Sequence, residues 1–244
     1  MTYIQSLLCR LSIAVVLILE LAIAPQATAV QQTLKQTLPP PPPNNPGSSA
    51  AGGRRSASTC PQDAIAATTD PLLTALSPTT TPGLSLAERP TFLVYVPSTS
   101  AENAEFSLRS RDGRGIYRTT VPLTDTPTLI SISLPDQVAP LEIGSLYTWS
   151  FAIICNPDNR LEDQFVTGSI QRIELNPVRL SQIEQSPPAR RIALYQEDGI
   201  WYDALTLLFE LKRSQPDDLS VDTTWREFLQ SGGIDSTIDS NLDQ

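Results

Sequence analysis

The segment Gly199-Ile200-Trp201-Tyr202-Asp203 sets two large aromatic rings beside a carboxylate, the residue set of a stacking platform with a polar clamp for a sugar or peptide. The same residues also suit the start of a helix, with Trp201 in a core and Asp203 in the first turn, at the positive end of the helix dipole. Exposed aromatic sites are far rarer than buried aromatic side chains, which favours the packing role. Asp198 with Asp203 or Glu197 would be the acid and base of a glycoside hydrolase if the two carboxyls stood in a cleft roughly 5–10 Å apart. Arg109, Arg111, Arg114 and Arg118 surround a turn expected at Asp112-Gly113-Arg114-Gly115. Alternate strand residues share a face, so Arg109 and Arg111 could present one positive patch to an acidic partner or a polyanion. The plainer role is an edge hairpin kept soluble by charge. Asp158, Glu162 and Asp163 offer oxygen ligands of the kind calcium prefers, but without the glycine and alternate-position spacing of an EF-hand they read as a solvated loop.

What is missing excludes more chemistry than what is present suggests. The chain has no histidine, which removes the usual general base, the commonest metal ligand and every histidine-containing triad. Its lysines are Lys35 and Lys212 alone, so a Ser–Lys dyad or a Schiff base has one candidate in a folded segment. No catalytic, cofactor-binding or metal-ligating set is expected. The inventory points away from an enzyme, and a carboxylate-based one acting on envelope polysaccharide is the alternative. The net charge of -9 argues against nucleic acid, because phosphate binding needs a clustered positive field. Basic and acidic residues number 13 and 14 from Val30 to Gln196, and 3 and 11 from Glu197 to Gln244. The acidity belongs to the C-terminal quarter.

These residues need a fold to position them, and it starts well inside the chain. Arg10 precedes an apolar run from Leu11 to Ala24, and Ala27-Thr28-Ala29 follows. That is the pattern of a signal peptide cleaved after Ala29. The run is interrupted by Glu20 and falls short of the roughly 20 apolar residues a membrane-spanning helix needs. Cys9 precedes the run, which argues against a lipoprotein. Residues 30–58 hold five consecutive prolines, Pro39 to Pro43, then small polar residues. This composition makes an extended, unfolded linker. A spacer is the expected role, a ligand for a proline-binding module the other. After cleavage Cys60 and Cys155 remain. In an oxidising compartment they most simply form a disulfide, worth roughly 4–5 kcal/mol in the chain-entropy model; two separate thiols are the alternative. The expectation is an exported protein, periplasmic or extracellular, with no membrane span after cleavage.

About 180 residues are left to fold, enough to bury a core. Phe92 to Val96, Phe106 to Leu108, Ile116 to Leu123, Thr128 to Leu134, Tyr147 to Cys155 and Phe165 to Leu175 are β-rich runs parted by turn residues. Thr128 to Leu134 alternates polar and apolar, the period of a strand with one wet face. Strands at this spacing without intervening helices predict an antiparallel sandwich of the immunoglobulin-like kind over residues 59–176. Leu141-Glu142-Ile143-Gly144-Ser145-Leu146-Tyr147 resembles the tyrosine corner of such folds, with Ile143 where proline is common. Beyond Pro177 apolar residues recur at helical spacing. Tyr195, Gly199, Trp201, Ala204 and Pro216 fall as in one tetratricopeptide-like helical hairpin. Asp217-Asp218 and Asp222 suit caps of its last helix. The fold class expected is α+β, with a helical subdomain over 177–232 packed on the sandwich and an acidic tail over 233–244.

Pro90 to Pro97, Leu141 to Pro157, Gly168 to Pro177, and Ala193-Leu194-Tyr195 through Pro216-Asp217-Asp218 together resemble domain-of-unknown-function family 928 of cyanobacteria. Arg54-Arg55 to Cys60-Pro61 resembles that family's arginine-to-cysteine segment, although Arg-Arg-Ser-Ala-Ser-Thr stands here where a glycine-rich form is usual. The resemblance spans roughly residues 50 to 235. It implies an exported cyanobacterial protein and brings no activity, substrate or catalytic residue. The function expected from the residues is a non-catalytic interaction or assembly module of the cell envelope. Its partner would be an envelope or surface protein, met through Trp201, Tyr202, Asp203, Arg109 and Arg111.

Overall fold

Two short strands, β1 (Thr74–Ala75) and β2 (Gly83–Ser85), precede six longer ones: β3 (Thr91–Val96), β4 (Asn103–Ser110), β5 (Gly115–Pro122), β6 (Thr128–Ser133), β7 (Leu146–Ile153) and β8 (Gln164–Arg172). The computed structural model describes residues 60–63, 71–236 and 238. The expected signal peptide, Cys9, the proline-rich segment and most of the acidic tail lie outside the described residues. The longer strands form where β-branched and aromatic residues cluster, because such side chains pack well on a pleated surface. Their alternation sets the faces: along β7, Tyr147, Trp149, Phe151 and Ile153 are buried while the residues between them are half-buried.

The strands make a three-stranded sheet in the order β1-β3-β6 and a five-stranded sheet in the order β2-β8-β7-β4-β5. The sheets face each other. The ring of Phe92 on β3 lies 5.1 Å from Phe106 on β4 and 5.4 Å from Trp149 on β7. One expectation needs correction: the larger sheet is mixed, because β2 runs parallel to β8. A hairpin forces antiparallel pairing, but β2 reaches this sheet from β1 of the other one. At three residues, it also gives no legible period.

A second correction concerns the helices. Among the described residues four follow the strands, α1 (Pro177–Glu184), α2 (Pro188–Glu197), α3 (Trp201–Ser214) and α4 (Leu219–Ser231), where a single hairpin was expected. Helix α1 escapes a periodicity reading because it buries only Ile183. Along α3, in contrast, Trp201, Tyr202, Ala204, Leu205, Leu208, Phe209 and Lys212 are buried, a full apolar stripe interrupted only at its end by the lysine. Asp218 caps α4 by accepting from Ser220 N. Asp222 sits one turn further in and pairs with buried Lys212 at 2.5 Å, joining α4 to α3.

Helix α3 lies against β2 and β3. On β3, Leu93 and Tyr95 point away from the five-stranded sheet, yet both are buried; strand side chains alternate faces, so β3 is covered on both sides. The edges β1 and β2 share one flank, closed by α3; β5 and β6, joined by the short link Leu123–Pro127, are the edges of the other. Cys60 and Cys155 are bridged, with their Cα atoms 5.2 Å apart.

Candidate functional site

The closed flank is organised around Tyr202. Its ring enters between the sheets, edge-on to Phe92 with centroids 5.6 Å apart. Its hydroxyl accepts from Trp149 Nε1 at 2.8 Å and donates to the Ser169 carbonyl at 3.0 Å. A hydroxyl has one proton to give, so Ser77 Oγ, 3.0 Å away, is the donor in the remaining bond. Burial pushes this phenol well above its ordinary pKa, and the bonds from Ser77 and Trp149 offset only part of that. Gly83 makes the insertion possible: a Cβ there would lie 2.5 Å from Tyr202 Cε2. Trp201 stacks on Phe228 with centroids 4.1 Å apart and donates from Nε1 to the Leu76 carbonyl at 3.0 Å.

Trp201 and Tyr202, only 8% and 1% exposed, therefore cannot form the platform considered above; both are wedged into the core. Asp203 turns the other way, and its Oδ2 accepts from Leu86 N at 3.0 Å, tying α3 to the chain leaving β2. Burial raises its pKa, against hydrogen bonds from Ser85 and Leu86 that lower it. Asp203 lines a cleft of about 240 Å³ together with Arg89, Arg191, Tyr195 and Glu210. Neither Asp198 nor Glu197 lines it. Both instead grip Arg179 on α1, Asp198 through two bonds at 2.7 and 3.1 Å and Glu197 at 3.0 Å. These bonds raise the Arg179 pKa, and Arg179 in turn holds Glu197 below the usual carboxylate range. Neither suggested acid–base pair flanks a cleft: Asp198 and Glu197 hold α1 through Arg179, and Asp203 ties α3 to the chain after β2.

Two of the three loop carboxylates beyond Cys155 are likewise engaged. Asp163 pairs with Arg160 at 2.6 Å, and Glu162 accepts from Asn159 Nδ2 at 2.6 Å.

At the end of the fold away from the disulfide lies a broad cleft of about 1120 Å³. One wall is the β4–β5 turn, with Arg111, Asp112 and Arg114; the other is the corner Glu142–Tyr147, with Gln171 and Leu84 on its floor. The turn forms because the chain folds back at Ser110, whose N–H bonds to the Arg114 carbonyl at 2.9 Å. The corner forms because Glu142 N donates to Tyr147 Oη at 3.0 Å. Arg109 does not join this rim. It lies on β4, opposite Thr148 of β7, on the face away from Phe106 and Leu108, and the strand alternation relating it to Arg111 ends where the turn begins. The sequence thus marks Arg111 but groups it with the wrong neighbour; Arg114, named among the turn residues, is the one beside it. Arg109, Arg111 and Arg114 are exposed, and none forms an ion pair with any described residue. The sequence gives no sign that Glu142 walls the cleft or that Gln171 lies on its floor, although the corner motif contains Glu142.

The molecule is thus a two-sheet β fold with four C-terminal helices, one flank sealed by α3 and one end opening on an arginine-rimmed cleft. The chain belongs to the family described as Domain of Unknown Function (DUF928), whose sequence profile matches residues 50–242. No curated protein matches it in sequence. Among solved structures, the crystal structure of CopC from Methylosinus trichosporium OB3b is 12% identical, with a TM-score of 0.27, over 39% of this chain and 88% of that one. At that score the likeness bears no weight for fold or function.

Proposed function

We propose that this chain is an exported, non-catalytic interaction or assembly module of the cell envelope, and that it meets an acidic partner surface at the arginine-rimmed cleft. One observation carries the reading: Asp198, Glu197 and Asp203 are spent on internal bonds, whereas the guanidinium groups of Arg111 and Arg114 on the cleft rim are exposed and within 4 Å of no carboxylate among the described residues. Exposed charge at a concave face steers association and selects partners of opposite sign. The disulfide supports an oxidising compartment, and the N-terminal pattern supports export, with the mature chain starting at Val30. The bond between Glu142 N and Tyr147 Oη supports an immunoglobulin-like character for the facing sheets. The α2–α3 turn at Gly199 supports a tetratricopeptide-like character for that helix pair. Folds of this kind recur in adhesion and assembly proteins, an analogy that adds direction but no mechanism.

The experiment is affinity capture from an envelope fraction, with the wild-type chain and a double variant carrying Arg111→Glu and Arg114→Glu. An envelope protein held by the wild type, released by salt and absent from the variant is expected. Equal capture by both chains, or none by either, would end the proposal. Intact-mass measurement of the exported protein checks the predicted start at Val30.

A further inference from the structure

The two strands on the open flank differ in how their free edges are finished. Leu123 N donates to the Glu102 carbonyl, and Leu134 N to the Pro90 carbonyl. An antiparallel ladder alternates residues that bond to the neighbour with residues whose N–H and C=O point outward. The registers therefore turn Arg118, Thr120 and Pro122 of β5 outward, and Leu129, Ser131 and Ser133 of β6. On β5 the outward row is blunted: Pro122 has no N–H, Arg118 is charged, and the register breaks beside Arg109. These are the devices by which edge strands avoid pairing. Strand β6 has none of them. Thr128-Leu129-Ile130-Ser131-Ile132-Ser133 contains no charge and no proline, and among the described residues nothing hydrogen-bonds to its outward groups.

We propose that the edge of β6 accepts an added strand, and that the strand is an extended segment of another protein with basic residues at the end that meets Asp125 and Glu102. An extended segment would extend the β1-β3-β6 sheet through main-chain bonds to Leu129, Ser131 and Ser133, with pockets for alternate side chains giving specificity. Beside Ile130 and Ile132, which face the five-stranded sheet, it would set apolar residues; beside Ser131 and Ser133, polar ones. The charges beyond the ends of β6 choose which end is basic. Asp125 and Glu102, neither of them in an ion pair among the described residues, stand at one end, whereas at the other Asp136 and Glu88 are balanced by Arg89 and Arg172, so the negative charge lies at the Asp125 end alone. A second copy of this chain fits worse, because antiparallel pairing of β6 with itself about Ser131 would bring Asp125 beside Asp136 of the copy. This surface is separate from the arginine-rimmed cleft, and either proposal can fail without the other.

The test uses the full chain and a labelled peptide of alternating valine and threonine with lysines at the end that would meet Asp125, read by fluorescence anisotropy. Ser131→Pro removes an outward N–H but no bond to β3, so the fold tolerates it; Ser131→Lys is the second variant should the first fail to fold. Binding by the wild type should weaken about tenfold or more in either variant, and by a similar factor when glutamates replace the lysines. Amides of Leu129, Ser131 and Ser133 should exchange quickly in the free protein and slow on binding. No binding, or equal binding by wild type and variants, overturns the proposal. So does slow exchange of those amides in the free monomer, which would mean that the chain covers its own edge. Concentration-dependent dimerisation lost in Ser131→Pro would assign the edge to a second copy instead.

Discussion

The two flanks solve the same problem in opposite ways. Each ends in two strand edges whose core must be kept from water. At β1 and β2 the chain uses side-chain bulk: α3 drives Trp201 and Tyr202 into the opening, and Gly83 makes room for the ring. At β5 and β6 no helix among the described residues covers the edges, and β5 alone carries charge and proline on its outward row. Closure by insertion makes the first flank part of the core and intolerant of change. Closure by edge chemistry leaves the second flank cheap to alter and free to change partners.

Substitutions should separate the flanks by size of effect. Trp201→Ala removes a buried, stacked indole and should cost about 3–5 kcal/mol, read as a lowered urea midpoint; a loss below about 1 kcal/mol would make α3 a bystander. Replacing Cys60 and Cys155 by serine should cost about 2–4 kcal/mol, with the unfolding slope reporting a more open unfolded chain. Tyr202→Phe keeps the ring but strands Trp149 Nε1, and should cost about 1–3 kcal/mol. On the open flank, Ser131→Lys should stay within about 0.5 kcal/mol. A large loss there would erase the contrast.

Acid titration sharpens it further. Burial pushes Asp63 upward, but its bonds from the side chain and N–H of Ser100, the Thr99 hydroxyl and Cys60 N outweigh this and hold its pKa below the ordinary value. A carboxyl depressed in the folded state contributes stability above its unfolded pKa, about 4, and loses it as pH falls through the folded value. Asp203 on the closed flank is raised, mainly by burial. Its ionised form therefore weighs against folding, and that penalty is relieved as pH falls through the raised value. Asp203→Asn should remove this gain on mild acidification, and Asp63→Asn should remove a loss only in stronger acid; stability curves from neutral pH downward distinguish the two. Shifts of the same sign in both variants would refute the assignment.

Much of the fold was legible wherever local pattern and tertiary position agree. Thr128 to Leu134 alternates because one face of β6 meets the core, and the stripe from Trp201 to Lys212 is helical because α3 is buried along one side. Strands β1 and β2 were not legible: at two and three residues they are held by the sheets they join, and no period can be read from them. Helix α1 owes its place to Arg179 reaching Asp198 and Glu197, and pairs that far apart in the chain leave no local trace. The site was legible in part. The residue types at Trp201, Tyr202 and Asp203 pointed to an unusual place, but which side of the surface they occupy depends on Trp149 and Ser169, far away in sequence. The cleft was hidden for the same reason, since its two walls are a turn and a corner that meet only after the sheet is built.

The Cys60–Cys155 bridge also has a mechanical meaning. A pull on the chain before Cys60 does not pass first to β1, whose two residues would unzip from β3 one bond at a time. It enters through Cys155, just past Ile153 at the end of β7, a strand laddered to β4 on one side and β8 on the other. Force along that strand loads both ladders in shear, so many hydrogen bonds must fail together before the fold gives way. Reducing the bridge would move the point of attack to the weakest strand in the molecule and turn a tether that holds into one that peels.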